Sequence, residues 1–380
     1  MFVGLTNTPR DYAWGSRTAI ADVLGRAASG GPEAEYWLGT HPGSPSVVVG
    51  GPAGETLADL TSLPYIMKVL AAETPVSLQA HPSTAQAEEG FARENALGIP
   101  LDAPNRNYKD AHHKPELVYA LSERFEALCG FRPVADTRGI LARLGGDPLV
   151  EDLLGRLVDD ASLPAVFEWL VTRGDGVSAL LDRVIQLAPA AGGIEFETVL
   201  TLAEEYPGDV GILISLLLNR VTLERGEVVY LPAGNIHSYL HGLGIEVLAS
   251  SDNVLRGGLT PKHVDVPELL AILDFRPLPV PFLAPDEPSP GVRVFRPDVP
   301  DFELAVLQLG SGLAESVSFS VVGDFLALCT DGRLSIRGAE GERSIAKGEA
   351  VYGTSAESPL VVTGSGELFI AAANSAFARK

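Results

Sequence analysis

The sequence predicts a mainly β protein interrupted by an α-helical insertion, and three observations predict it. Residues 1–133 contain short aromatic and β-branched runs bounded by Gly and Pro, such as Glu35-Tyr-Trp-Leu-Gly and Pro64-Tyr-Ile-Met-Lys-Val-Leu, the pattern of strands between turns. Residues 135–221 switch to helical spacing of apolar side chains. From residue 222 onward strand-like runs return, with turn signals about every ten residues, as in barrels and sandwiches.

The helical block is read from two stripes. Leu149, Val150, Leu153, Leu154, Leu157 and Val158 recur at helical spacing, and so do Val177, Leu180, Leu181, Val184 and Ile185. Gly and Pro between such stretches divide the block into about five short helices. In the β-rich remainder a weak repeat relates two segments, Gly226-Glu-Val-Val-Tyr and Gly348-Glu-Ala-Val-Tyr. Polar ligand types, His237 among them, follow the first; Ser, Glu and Pro with no His follow the second. Two related β-units, one equipped for chemistry and one not, is the economical reading; chance likeness of two strand–turn segments is the alternative. Residues 277–300, rich in proline and polar side chains, read as a linker into the last unit.

Composition sets the outer limits. The chain has 380 residues, 46% hydrophobic and 20% charged, which is long enough for more than one domain and a large core. Collagen, coiled coil and wholesale disorder are excluded by the high apolar content and the lack of their repeats. The 28 Lys+Arg against 49 Asp+Glu leave a net charge of -21, a surface that repels nucleic acid and anionic lipid. A small anionic substrate would need a local basic pocket. The densest apolar run, residues 212–218, is far short of the roughly 20 residues that span a bilayer. The N-terminus shows neither the basic head nor the apolar stretch of a signal peptide. Cys129 and Cys329, both in apolar surroundings, read as buried thiols of a reducing cytoplasm.

Chemistry concentrates in a few segments. Six of the seven histidines lie in them, and Lys68, Lys109, Lys114 and Lys262 lie in or beside them in a chain that otherwise uses arginine. Lysine is a compact charge with a movable pKa, so its retention points to sites that need a point charge. In Ser77-Leu-Gln-Ala-His81-Pro82, Gln79 and His81 would project to one side of a strand, offering an amide oxygen and an imidazole; a polar strand edge is the plain alternative. In Asn107-Tyr-Lys-Asp-Ala-His-His-Lys114-Pro115-Glu116, the proline imposes an extended backbone and Glu116 opens a strand. Glu116 is then a carboxylate ligand or a strand-end charge in water. In Gly226-x5-Pro232-x-Gly234-x2-His237-x3-His241, a strand, a tight turn and a histidine place an imidazole at a barrel mouth. That spacing resembles the second motif of the cupin jelly rolls, and a hairpin with a surface histidine fits the same residues.

Together Gln79, His81, Glu116 and His237 make an N2O2 set suited to a borderline cation such as zinc, with room for water or substrate. With one carboxylate, a divalent site keeps about one positive charge, able to polarise a substrate oxygen. Glu246 lies in an apolar stretch, where desolvation would raise its pKa toward a range useful to an acid or base. Arg256 precedes Gly257-Gly258, where backbone can approach a ligand closely; a surface ion pair with Asp252 is the alternative.

In joint order and spacing, these blocks resemble the class I phosphomannose isomerases over nearly the whole chain. The blocks are Tyr12-Ala-Trp-Gly-Ser, Ala34-Glu-Tyr-Trp-Leu-Gly-Thr-His-Pro, Ser77-Leu-Gln-Ala-His-Pro, Asn107-Tyr-Lys-Asp, His113-Lys-Pro-Glu, Pro232-Ala-Gly-Asn-Ile-His and Ser251-Asp-Asn-Val-Leu-Arg-Gly-Gly-Leu-Thr-Pro-Lys. The resemblance implies two jelly-roll, cupin-like units plus a helical domain. Residues 1–134 with 222–276 would form the metal-bearing catalytic unit, 135–221 the helical insertion, and 277–380 a second jelly roll without metal ligands. It implies one Zn2+ per chain on Gln79, His81, Glu116 and His237, and it puts the family's catalytic arginine on Arg256. The departures are mild: Leu78 where Ile is common, and a short helical segment.

The implied reaction interconverts mannose 6-phosphate and fructose 6-phosphate through an enediol. That needs a base at carbon and positive charge at oxygen. Arg256 and Lys114 are expected to stabilise the developing charge, Glu246 or else His113 to act as base, and Asp252 to assist ring opening. Ser77, Lys68 and Lys262 are expected to hold the phosphate. The expected partner is a small sugar phosphate, with no nucleic acid and no membrane, for a cytoplasmic monomer or weak homo-oligomer. The rival class is another metal-dependent cupin, an oxygenase or a sugar-binding module. The former would present more histidines to a redox metal, and the latter would need neither the lysines nor Arg256.

Overall fold

The computed structural model describes residues 1–310 and 312–378. Among these, the strands form two antiparallel sheets, of nine and ten strands. The spine of the first is His237–Ala249. Its first part lies between Leu78–Ala80 and Arg124–Phe131, and its last part between Tyr65–Ala72 and Glu116–Ala120. A register shift between Tyr239 and His241 marks the changeover, as bulges do where a strand bends. One long strand thereby serves both layers of a rolled sheet, and the site is built at its first residue.

The internal repeat is a shared turn. Gly226 and Gly348 both have positive φ, 95° and 84°, which a side chain would resist. Gly226 N–H donates to Ala120 O at 2.9 Å and Gly348 N–H to Cys329 O at 2.8 Å. Glu227 accepts from Glu224 N–H, and Glu349 from Ala346 N–H, each at 2.8 Å. The Gly-Glu pair thus closes the same turn in both sheets.

Six α-helices lie between residues 134 and 215: Val134–Leu141, Pro148–Arg156, Leu163–Val171, Val177–Ala191, Ile194–Glu205 and Gly211–Ser215. That is one more than the spacing indicated. Asp147 caps the second, its side chain accepting from Leu149 N–H at 3.0 Å ahead of Pro148. The apolar stripes face inward except Val158, which lies past the helix end and is 73% exposed. Leu153, Phe167, Leu181 and Phe196 pack in one core with Leu78, Leu128, Phe131 and Leu255 of the first sheet. The helices are therefore docked on the strands that carry the site.

Three segments differ from the sequence expectation. Thr84–Ala96 is a helix inside the region read as strands; Ser83 and Gln86 form a capping box at its start. Residues 277–300 are more than a linker, because Asp286–Ser289 and Val292–Phe295 pair as a hairpin at the edge of the second sheet. Its proline and charges suit an outer strand exposed to water. Phe2–Thr6 pairs with Ala350–Gly353 and with Val47–Val48 in the second sheet, so residues expected in the first unit complete the ladder of the other. The two sheets also share a core, in which Tyr65, Met67, Tyr119 and Ile245 meet Phe295, Leu304, Leu326 and Phe369.

Candidate metal centre and substrate cavity

Three strand ends meet at one point. Gln79 is the register partner of His237 on one side and of Arg256 on the other. Directly opposed residues on neighbouring antiparallel strands point to the same face, so these three side chains share one. His81 follows the same strand, and Glu116 begins the strand Glu116–Ala120. Ligand atoms of His81, Glu116 and His237 lie within 4.8 Å of one another, and all three residues are buried.

The hydrogen bonds fix the orientation of both rings. His81 Nδ1–H donates to Asn253 O at 2.7 Å, and His237 Nδ1–H to Asn235 O at 3.0 Å. A carbonyl only accepts, so each Nδ1 carries a proton and each Nε2 is turned toward the centre. Each Nε2 lies 3.3 Å from a Glu116 oxygen, and neither has a hydrogen-bond partner. Burial pushes the His81 imidazole down to about 4, against the pull of Glu116. Burial would push the Glu116 carboxyl up, but the Lys114 ammonium beside it outweighs burial and holds it well below the usual carboxylate range. Two unpartnered imidazole nitrogens and an ionised acid converging in a buried pocket are a donor set for a cation, and the set fits zinc. Gln79, the register partner of His237, places an amide side chain on the same face.

A cavity of about 350 Å³ opens above this centre, with Gln79 and Lys114 in its lining. Lys68, Ser77, Asp252, Arg256 and Lys262 also line it, together with Tyr12, Trp14 and Trp37; the Lys68 ammonium lies over the Trp37 ring, 4.5 Å from its centroid. The cations fall into two kinds. Lys114 lies 3.0 Å from Glu116, and Lys68 lies 3.3 Å from Glu246 and 3.5 Å from Glu35, so their charges are already shared. Among the described residues, Arg256 and Lys262 have no carboxylate within ion-pair distance, and the alternative pair with Asp252 does not form. Burial lowers the pKa of both, and for Lys262 the Arg256 charge adds to it. Two unneutralised cations at one end of a cavity make an anion site.

Other expected residues are placed differently. His113 turns to Asp301 at 3.0 Å, outside the cavity lining. Glu246 is buried beneath Lys68, with Tyr239 donating to it at 3.0 Å, and does not itself line the cavity. Burial raises its pKa against the pull of Lys68. Lys109 reaches the Leu101 carbonyl and plays no part in the lining. Gly257 and Gly258 abut Ile236 and residue Gly211 rather than open space, so their small size serves packing against the helices. Asp252 does line the cavity and stands 3.4 Å from His41. The His41 Nδ1 accepts from Gly43 N–H at 3.1 Å, which directs its Nε2–H toward that carboxylate.

Sequence reasoning missed the group that orients His81. Asn253 is fully buried; its side chain accepts from Lys109 N–H at 2.7 Å and donates to Asp110 O and His112 O at 2.9 and 2.8 Å. Asp110 in turn accepts from Ser251 Oγ and Asp252 N–H. The two blocks Asn107-Tyr-Lys-Asp and Ser251-Asp-Asn are thus one hydrogen-bonded unit, which no local feature of either block signals.

The family model for the phosphomannose isomerase type I catalytic domain matches residues 2–134. The chain is 35% identical to mannose-6-phosphate isomerase of Salmonella typhimurium, covering 96% of this chain and 97% of that protein. To the mannose-6-phosphate isomerase of Homo sapiens it is 33% identical, covering 80% and 82%. The crystal structure of the apo Salmonella typhimurium enzyme superposes with a TM-score of 0.89 at 34% identity, covering 98% of this chain and 99% of that one. A zinc-bound mannose 6-phosphate isomerase structure matches with the same score and coverage. Identity above a third, sustained from end to end, means that the chain belongs to the type I phosphomannose isomerase family.

Proposed function

We propose that this protein is a zinc-dependent aldose–ketose isomerase interconverting mannose 6-phosphate and fructose 6-phosphate. One observation carries the reading: two unpartnered imidazole nitrogens and an ionised carboxylate converge beside a cavity that also holds two unpaired cations, Arg256 and Lys262. Gln79, His81, Glu116 and His237 would hold the metal, which supplies Lewis-acid polarisation of a sugar oxygen. Lys262 and Ser77 bind the phosphate, while Arg256 stabilises negative charge that develops on the substrate. Lys114 reinforces that charge while keeping Glu116 ionised. Asp252, with His41 behind it, exchanges the proton of ring opening. The proton moving between C1 and C2 is handled by the Lys68–Glu246 pair: Lys68 passes a proton to Glu246, whose proton affinity burial raises, takes the proton from one carbon as an amine and delivers it to the other, and Glu246 then returns its proton to Lys68. Lys68, shared between two acids, is better suited to that step than to holding phosphate.

The domain division follows the two sheets and the helices, with 1–134 and 222–276 as the catalytic unit, 135–221 as the insertion and 277–380 as the second roll. Phe2–Thr6 and Val47–Val48, which pair within the second sheet, blur the boundary. No described helix is long and apolar enough to cross a membrane, and the net charge of -21 disfavours nucleic acid. Two buried free thiols support a reducing, cytoplasmic setting for a protein acting on a diffusing sugar phosphate. The decisive experiment is a coupled fructose 6-phosphate assay on purified protein, chelated and then reloaded with zinc. Activity should vanish and return; full activity in material free of bound cations would sink the proposal.

A further inference from the structure

We infer that the turn at residues 206–211 of the helical insertion is a clamp on the phosphate end of the cavity, with Asp209 as its positioning residue; this rests on the reading of Lys262 and Ser77 given above. Asp209 Oδ1 accepts from Gly211 N–H at 2.7 Å and from Leu259 N–H at 2.9 Å, and Oδ2 from Thr260 N–H at 3.4 Å. The insertion is thereby tied to the loop that follows Arg256 and carries Lys262. That loop is held in an unfavourable shape. Leu259 has φ 53°, a region that non-glycine residues resist and that surrounding contacts must impose. At Gly258, φ 135°, a Cβ would stand 3.0 Å from both Asp209 Oδ1 and Gly211 Cα, so only glycine lets the loop come this close.

The same turn grips the opposite flank. Tyr206 donates its hydroxyl to Pro75 O at 2.6 Å, two residues before Ser77. Tyr206, Leu259 and Thr260 also line the cavity. One short turn therefore fixes the separation of the two segments that bear Ser77 and Lys262. Asp209 spends its carboxylate on backbone N–H groups, so its part is to set geometry, and a misplacement of about 1 Å at a binding group is enough to cost much of its effect.

The test compares kinetics, inhibition by inorganic phosphate, zinc content and Tm for the wild type, Asp209→Ala, Asp209→Asn and Lys262→Met. Asp209→Ala should raise KM and the phosphate inhibition constant together by about tenfold, with kcat and zinc content nearly unchanged. Asp209→Asn, whose amide oxygen still accepts from Gly211 and Leu259, should recover most of the loss. A lowered Tm with KM and phosphate inhibition unmoved would make Asp209 a structural tie only and overturn the clamp. If Lys262→Met weakens phosphate inhibition while Asp209→Ala does not, the clamp alone fails. If Lys262→Met has no effect, the placement of the phosphate fails. Should Asp209→Ala not fold, Tyr206→Phe applies the same test from the other flank, and an unchanged KM there counts against the clamp.

Discussion

At the scale of single residues, the cavity separates cations that are neutralised from cations that are not, and this decides what each substitution does. Arg256 has no anionic partner to strand, so Arg256→Ala should leave the fold and zinc content intact. It should lower kcat by about a hundredfold or more, the usual loss when one charge-stabilising donor is removed. A higher KM with kcat preserved would reassign it to ground-state binding. Lys68 is the opposite case. Lys68→Met would leave Glu35 and Glu246 buried together without their cation, destabilising the protein by about 3–5 kcal/mol. The same change has a predictable sign in the pH profile. Burial already raises the Glu246 pKa and Lys68 pulls it back. Removing Lys68 therefore raises it further, and the acid limb of residual activity should move to higher pH. A limb that stays in place or moves down would exclude Glu246 from the proton path. The stability sign follows as well: folded Glu246 binds its proton more tightly than the unfolded chain does. Its ionisation thus subtracts stability at neutral pH, and the loss is relieved as pH falls through its folded value.

At the scale of elements, the metal centre is a junction of strand ends held by loops, and Asn253 is the loop residue on which most depends. Its side chain knits residues 109–112 to 251–253 while its carbonyl orients His81. Asn253→Ala should weaken zinc binding by about ten- to a hundredfold, read by competition with a chromophoric chelator; an unaltered zinc Kd would show that the carbonyl holds its place without the side chain. This also shows what sequence can and cannot reveal. His81, Glu116 and His237, whose ligand atoms the fold brings within 4.8 Å of one another, were legible because each sits at a strand end near a proline or glycine; Gln79, in mid-strand, was read from its alternation with His81. Asn253 was not, since nothing local says that a buried amide will bridge two distant loops. Glu246 looked like a cavity base because its pKa logic is local, but whether it reaches the cavity depends on Lys68 across the sheet. The hairpin in 277–300 was hidden because edge strands tolerate the same proline and charge that linkers use. The pairing of Phe2–Thr6 with Ala350–Gly353 has no local signature at all.

At the scale of the whole molecule, the shared core decides whether the two rolled sheets are independent. Phe369 of the second sheet is fully buried and meets the Tyr119 ring edge-on at 5.0 Å between centroids. Tyr65 of the first sheet donates its hydroxyl to Ala371 O at 2.9 Å. Phe2–Thr6 and the inter-sheet core mean that neither sheet can open without exposing apolar surface of the other, so unfolding should be cooperative across both. All three tryptophans, Trp14, Trp37 and Trp169, precede the second roll, and their fluorescence therefore reports on the first sheet and the helices. Phe369→Ala removes a ring from the shared core and should cost about 3–5 kcal/mol. If the units are coupled, the tryptophan midpoint in urea falls although no tryptophan lies in the altered sheet, and it coincides with the midpoint from circular dichroism. If the fluorescence midpoint stays at the wild-type value while circular dichroism shows an earlier transition, the second roll unfolds on its own. The shared core would then be a docking face between separable domains. Zinc adds a discriminating arm: it stabilises only states in which the first sheet is folded, so under coupling its removal must lower the stability of the second roll as well.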